Sequence, residues 1–198
     1  MYIYGASGHG RVVIDLLEKA EGVHGIFDDD AGITEILGHT VRGSIPESFS
    51  FDHPLVLAIG DNDTRKKLFQ KYRVRAQFAT LIHPSAIISK HAQLDPGGVI
   101  LEKAIVKVNC RLGIQVIVNT AASIDHDCVI GDFVHIAPQA TLCGGIQVGE
   151  GSLIGANSTI LPNLKIGAWC KIGAGSVVVS DVPDGASWIG RGIKGSLR

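Results

Sequence analysis

The chain has 198 residues, 45% of them apolar and 19% charged, with a formal net charge of −1. That is length for one or two packed domains, and too apolar a composition for a disordered chain. The balanced net charge argues against a nucleic-acid or membrane partner. No basic leader and no long apolar run signals export or insertion, so a cytoplasmic protein is expected.

Residues 1–81 read as a small α/β domain. Tyr2–Tyr4 is a short buried strand, and GASGHG follows at Gly5–Gly10. Arg11–Ala20 is predicted to be a helix, with Val12, Val13, Leu16 and Leu17 on one face. Gly25–Phe27 is a second strand that ends in the acids Asp28, Asp29 and Asp30. Residues 31–54 are irregular, with a weak strand near His39–Arg42. Leu55–Ile59 is a third strand, closed by Gly60-Asp61-Asn62. Asn62 or Asp63 is then placed to cap a helix that runs to Tyr72. Gln77–Leu81 is expected as a last strand, and His83-Pro84 marks the boundary. Alternating strands and helices imply a parallel βαβ sheet.

The second domain, 82–198, is organised by a period of six. Ile82, Ile88, Leu94, Ile100, Val106, Leu112 and every sixth residue on to Val178 are Ile, Leu or Val without a break in phase. Four residues after the aliphatic the side chain is often small, as at Ala104, Cys110, Ala122, Cys128, Ala140, Ser152 and Ser158. A helix of 3.6 residues per turn would scatter these aliphatics around its surface. A solenoid with three short strands per coil brings one aliphatic per strand into a triangular core, and this is the hexapeptide signature. The repeat decays after Val178, and the tail Ala186–Arg198, with Trp188, is expected to lie along the last coils and cover their open edge.

Four cysteines remain, of which Cys110, Cys128 and Cys170 take the small inward site. Cys110 and Cys128 stand one coil apart. The spacing permits a disulfide between them, but packed thiols in a reducing compartment are favoured. No CxxC pair suggests zinc, and His126 and His135, half a coil apart, do not make a metal pair.

Two stretches carry chemistry. Gly5, Gly8 and Gly10 lie between a strand and a helix, where backbone N–H groups and the helix dipole can hold a phosphate. The acids at Asp28–Asp30 follow about 20 residues later, where dinucleotide folds place a ribose ligand. The simpler alternative is that the glycines only tighten the turn. About 80 residues leave no room for a second mononucleotide half, which favours a ligand with one nucleotide. In Asp125-His126-Asp127, just past an inward aliphatic, His126 faces away from the core. Asp127 or Asp125 can hydrogen-bond its ring and raise its basicity; the alternative is an exposed polar corner.

GASGHG, LAIGDNDTRKK at Leu57–Lys67, NTAASIDHDCVIG at Asn119–Gly131 and ILPNLKIG at Ile160–Gly167 resemble, in order and over nearly the whole chain, the bacterial nucleotide-sugar acetyltransferases of the PglD type and the related NeuD-like sialic acid O-acetyltransferases. The resemblance implies an N-terminal Rossmann-like domain that binds the nucleotide sugar and a left-handed parallel β-helix that binds acetyl-CoA between the subunits of a homotrimer. It implies N-acetylation of a UDP-4-amino-4,6-dideoxy-sugar or similar amino sugar, with sugar O-acetylation as the alternative, and no metal. His126 matches the catalytic base, Asp127 its carboxylate, and Gly144 an N–H for the thioester oxygen. His135 matches a residue of the acetyl-CoA site. At Ala156 and Ala174 only backbone contacts to CoA carry over, because the side chains depart from the family. Ser7, Gly8 and His9 match the phosphate loop, and Asp29, Asp30 and Gly60 the nucleoside end. The tail reads Ile189-Gly190-Arg191-Gly192-Ile193 where the family often has V-G-x-P-A, which removes a proline from its CoA contact. Two further classes compete, a non-catalytic scaffold and a carbonic-anhydrase-like metal protein. The latter needs three interface histidines, and only His126 and His135 lie at suitable positions.

Overall fold

A computed structural model describes residues 1–18 and 22–194. It separates into two compact units, Met1–Ala79 and Thr80–Arg198.

In the first unit, β1 (Tyr2–Tyr4), β2 (Gly25–Phe27) and β5 (Leu55–Leu57) form a parallel sheet in the order β2-β1-β5. Between β2 and β5 lies a two-residue hairpin of β3 (Glu35–Ile36) and β4 (His39–Thr40). Single bridges widen the sheet, with Val41 beside Ile26 and Phe78 beside Leu55. All three central strands are buried along their length, which is why they read as unbroken apolar runs and not as alternation. Two helices flank them, α1 (Gly8–Glu18) and α2 (Asn62–Tyr72).

Three expectations need correction here. Helix α1 begins inside the glycine motif, so Gly8, His9 and Gly10 form its first turn; Ala20, its expected end, falls outside the described residues. The cap of α2 is Asp61, whose Oδ1 accepts the Thr64 N–H at 2.8 Å, and not Asn62 or Asp63. The strand expected over Gln77–Leu81 is divided: Phe78 makes one bridge to the N-terminal sheet, while Leu81–Ile82 pairs with Val99–Ile100 of the second unit.

The second unit is a parallel β-solenoid of about six turns. Its strands are two residues long and pair in parallel at intervals of one coil: Ile105 lies beside Ser123, Ser123 beside Thr141, Thr141 beside Thr159, and Thr159 beside Val177. Three such ladders make the walls of the prism. From Ile100 to Val178 every sixth residue is buried. Each contributes about 1.5–3 kcal/mol of gross transfer free energy, so the column is its own core. Ile82 is 48% exposed because it belongs to the first, open coil. The small inward sites are filled as expected, and their buried hydroxyls are satisfied locally: Ser152 Oγ donates to Gly167 O and accepts from Cys170 N, and Ser158 Oγ donates to Gly155 O. All four cysteines are free thiols.

From residue 97 to residue 175, the residue three past each aliphatic takes a left-handed backbone, with φ of 60° at Asn109, 61° at Asp127 and 62° at Asn163. L-residues pay about 1–2 kcal/mol for this region. The ladder holds them there: Asp127 N–H donates to Val108 O, Gly145 N–H to His126 O, and Asn163 N–H to Gly144 O.

The coil does not stop where the sequence period does. Val182 bridges Ile166, and Trp188 pairs with Ile172. Val182, Ala186 and Trp188 keep the four- and six-residue spacing, but the phase has slipped by two residues after Val178. Trp188 is 3% exposed, and its Nε1–H reaches Val177 O and Gly190 O, each at 3.2 Å. Gly192–Lys194 then folds back antiparallel on Ser187–Ile189. Residues 195–198 of the predicted tail lie outside the described residues.

Candidate active site

The strand Ser123–Ile124 ends at Asp125, and the left-handed turn at Asp127 breaks the alternation of a strand. Two neighbouring side chains therefore emerge on the same side of the corner. His126 Nδ1 lies 2.7 Å from Asp127 Oδ2, with both side chains more than half exposed. Of the two acids left open by the sequence, Asp127 holds the ring. Asp125 turns its Oδ1 back to the His126 backbone N–H. The Asp127 hydrogen bond, with the Asp125 charge behind it, raises the His126 pKa above the ordinary histidine range. The same contact lowers that of Asp127, helped by Asn109. A neutral His126 then carries its proton on Nδ1 and presents Nε2 as an acceptor.

Gly144 stands one coil above His126. A Cβ built there would come within 2.5 Å of His126 Cε1 and 2.6 Å of Nε2, so the imidazole rests on the bare Cα. This use of glycine is invisible in the sequence. Position 144 also lies two residues past an aliphatic, where other coils carry Pro138 and Pro162, so the ladder does not need its N–H. No acceptor among the described residues takes the Gly144 N–H.

His135, Ala156 and Ala174 belong to another wall. His135 pairs with Leu153, and its Nε2 lies 3.1 Å from Asn119 Nδ2. Asn119, which the sequence argument passed over, also accepts the Thr120 N–H on Oδ1 and is locked in place. Ala156 and Ala174 stand at the corner after that wall, one coil apart, where Ala156 O accepts the Gly175 N–H. The His126–Asp127–Gly144 group lies at the corner after a different wall. One chain does not bring the two groups together.

In the first unit, the C-terminal ends of β1, β2 and β5 gather their loops. Gly5 has φ +114°, and a Cβ there would meet Ala58 O at 2.6 Å; at Gly10 it would meet Gly5 O at 2.4 Å. These two glycines are explained by packing. Gly8 has nothing within 4 Å, so open space lies above the first turn of α1, whose N–H groups favour an anion. Ser7 is exposed at the bend just before it. Asp28, absent from the carried-over residues, ties the loops: Oδ2 accepts from Ala6 N and Oδ1 from Asp30 N. Asp29 accepts from Ser44 Oγ at 2.6 Å, a bond that holds its carboxyl below the usual range. Asp30 accepts from Gly32 N. His9 Nε2 is buried without a partner; burial, then the Arg65 charge, pushes the ring down to about 4. Arg65 was also missed by the sequence reading. Only 1% exposed, it donates to Ile59 O, Gly60 O and Asn62 Oδ1, which fixes the Gly60 loop.

Among the described residues, no three His, Cys, Asp or Glu side chains gather as metal ligands, and no helix is long and apolar enough to cross a membrane.

Comparison with known proteins follows the same division. A PglD N-terminal domain family matches residues 1–72, and a bacterial transferase hexapeptide (six repeats) family matches 145–180. A perosamine N-acetyltransferase from Caulobacter crescentus, solved with CoA and GDP-perosamine, shares 36% identity with a TM-score of 0.91, over 98% of this chain and 96% of that one. The acetyltransferase domain of PglB from Neisseria gonorrhoeae shares 35% identity with a TM-score of 0.90, over 98% and 97%. UDP-N-acetylbacillosamine N-acetyltransferase of Bacillus subtilis is 35% identical over 107 residues, half of this chain and half of that protein. The chain belongs to the PglD-like family of hexapeptide-repeat acetyltransferases.

Proposed function

We propose that the protein transfers the acetyl group of acetyl-CoA to the amine of a nucleotide-linked amino sugar, with His126 as general base. The relatives support the substrate class: one is solved with CoA and GDP-perosamine and another is named for a UDP-sugar. The observation that carries the base is the 2.7 Å contact of His126 with Asp127 and the ring's seat on Gly144.

The amine attacks the thioester carbonyl, and a C–N bond forms while the carbonyl oxygen gains charge. The Gly144 N–H stabilises that oxygen, an effect worth roughly 3–4 kcal/mol in other acyl transfers. His126 Nε2 takes the amine proton. Collapse breaks the C–S bond, and the imidazolium returns the proton to the leaving thiolate, so amide and CoA thiol result. General-base assistance of this kind supplies about 10²–10⁴-fold. The Cys110, Cys128 and Cys170 thiols are buried and each donates to a backbone carbonyl, so no acyl-enzyme is required.

Acetyl-CoA contacts are assigned to His135, Ala156 and Ala174, and the base to another corner. The complete site is therefore assembled from two copies in a homotrimer. Ser7, Gly8 and His9 would hold the phosphates of the sugar nucleotide, and Asp29, Asp30 and Gly60 its nucleoside. A neutral His9 offers a hydrogen bond without a charge, while the helix terminus supplies the field.

CoA release with UDP-, GDP-, dTDP- and CMP-linked amino sugars, against a free sialic acid, tests this reading. Turnover with an amino-sugar nucleotide and an amide product is expected. Turnover confined to a hydroxyl acceptor would replace it with O-acetylation.

A further inference from the structure

Asp127 has two carboxylate oxygens, and the base mechanism uses one. Oδ2 meets His126 Nδ1; Oδ1 accepts from Asn109 Nδ2 at 3.1 Å. Asn109 precedes Asp127 by one coil and shares its left-handed corner, with φ of 60° against 61°. The carboxylate is thus held from both ends, by the ring it orients and by the amide beneath it. With a side chain 55% exposed, an aspartate tied only to the ring would be free to change rotamer.

A left-handed corner by itself favours asparagine. Asn163 stands at the same corner two coils above Asp127. What distinguishes Asn109 is the acceptor that its amide meets. The two residues also line a cavity of about 350 Å³ with His91, Gln93, Arg111 and Val129, beside the catalytic corner.

We propose that Asn109 is a positioning residue for the reaction: its amide fixes the Asp127 carboxylate so that Oδ2 stays on His126 Nδ1 and Nε2 stays turned outward to receive the substrate proton. The proposal rests on His126 as the base. The ionisable groups that act on the ring are Asp127 and Asp125 on its own turn and the Cys110 thiol from the coil below. His91 and Arg111 face Asp127 across the cavity. Ionised Asp127 is favoured first by His126 and then by Asn109.

Asn109→Gly removes the donor at a corner that glycine accepts without strain. Asn109→Asp keeps the size and places a second carboxylate against Asp127. The readouts are the His126 ring titration by NMR in the full-length enzyme without substrate, then kcat, both KM values and Tm. With Asn109→Gly, the titration midpoint should fall and kcat drop about tenfold, with both KM values within about twofold and Tm unchanged. Asn109→Asp should move the midpoint upward. If the midpoint in Asn109→Gly equals that of the unmodified enzyme, the proposal is overturned, whatever happens to kcat. Should Asn109→Gly lower Tm, the midpoint of Asn109→Ala decides by the same criterion, since Ala121 already holds this left-handed conformation at another corner. Because the titration is read without turnover, it is independent of the base assignment, which fails separately if His126→Ala keeps full activity.

Discussion

Two of the histidines placed at sites, His126 and His9, stand in opposite electrostatic settings. His126 sits on an exposed solenoid corner, and a carboxylate 2.7 Å away raises its affinity for a proton. His9 sits in the first turn of α1, where burial and the Arg65 charge push it down to about 4. The first setting suits a group that must take a proton, the second a group that must stay neutral beside an anion. The glycines divide in the same way. Gly144 is bare because an imidazole ring lies on it and Gly5 and Gly10 because backbone does, whereas Gly8 and Gly60 face open space. One residue type thus serves catalysis, packing and ligand access, and only the neighbours tell which.

The contrast can be broken first at the corner. His126→Ala should lower kcat at least about a hundredfold while the oligomer stays intact on a sizing column. Full activity in that variant would remove the base. Gly144→Ala puts a methyl group where the ring rests. Displacement of this order costs up to about 10²-fold, so kcat should fall by tens, with KM for acetyl-CoA nearly unchanged. Substitution at the other region should act on binding: Asp29→Ala with Asp30→Ala should raise KM for the sugar nucleotide several-fold (about 1 kcal/mol) and leave that for acetyl-CoA alone. Equal effects on both would dissolve the division of labour.

The last effect is on stability and concerns His9. Its folded pKa lies below the ordinary 6.5, so the unfolded chain binds the proton first and stability falls as pH drops from about 6.5 toward about 4. Thermal melts of His9→Gln across that window should show a flatter dependence than those of the unmodified protein. Parallel curves would show that the burial of His9 has no such consequence.

The solenoid was legible because one aliphatic per two-residue strand leaves a strict period, and the period specifies register, core and coil length together. What it could not show is instructive. The left-handed corners carry Lys103, Ala121, Phe133 and Trp169 as well as asparagine and glycine, since the ladder imposes the conformation and composition need not announce it. The last coil was hidden by a two-residue slip, although Val182, Ala186 and Trp188 preserve the internal spacing. In the first unit the strands were readable from apolar runs, but the start of α1 was not: glycines at positions 8 and 10 mask a helical turn. Leu81 looked like the next strand of the first sheet because nothing local says which ladder a strand will join. At the site, the acid–His–acid run marked His126, but the choice of Asp127 over Asp125 and the role of Arg65 depend on how local backbone turns aim the side chains, and the roles of Asn109, Asn119 and Asp28 depend on contacts between distant residues.

The most direct test of a carboxylate-held base is the pH dependence of kcat/KM in the unmodified enzyme and in Asp127→Asn. His126 works deprotonated, so the rate should fall as pH drops through its raised pKa. Removing the carboxylate lowers that pKa, and the acidic limb should move to lower pH while the plateau falls about tenfold or more. An acidic limb that stays in place in Asp127→Asn would contradict the account.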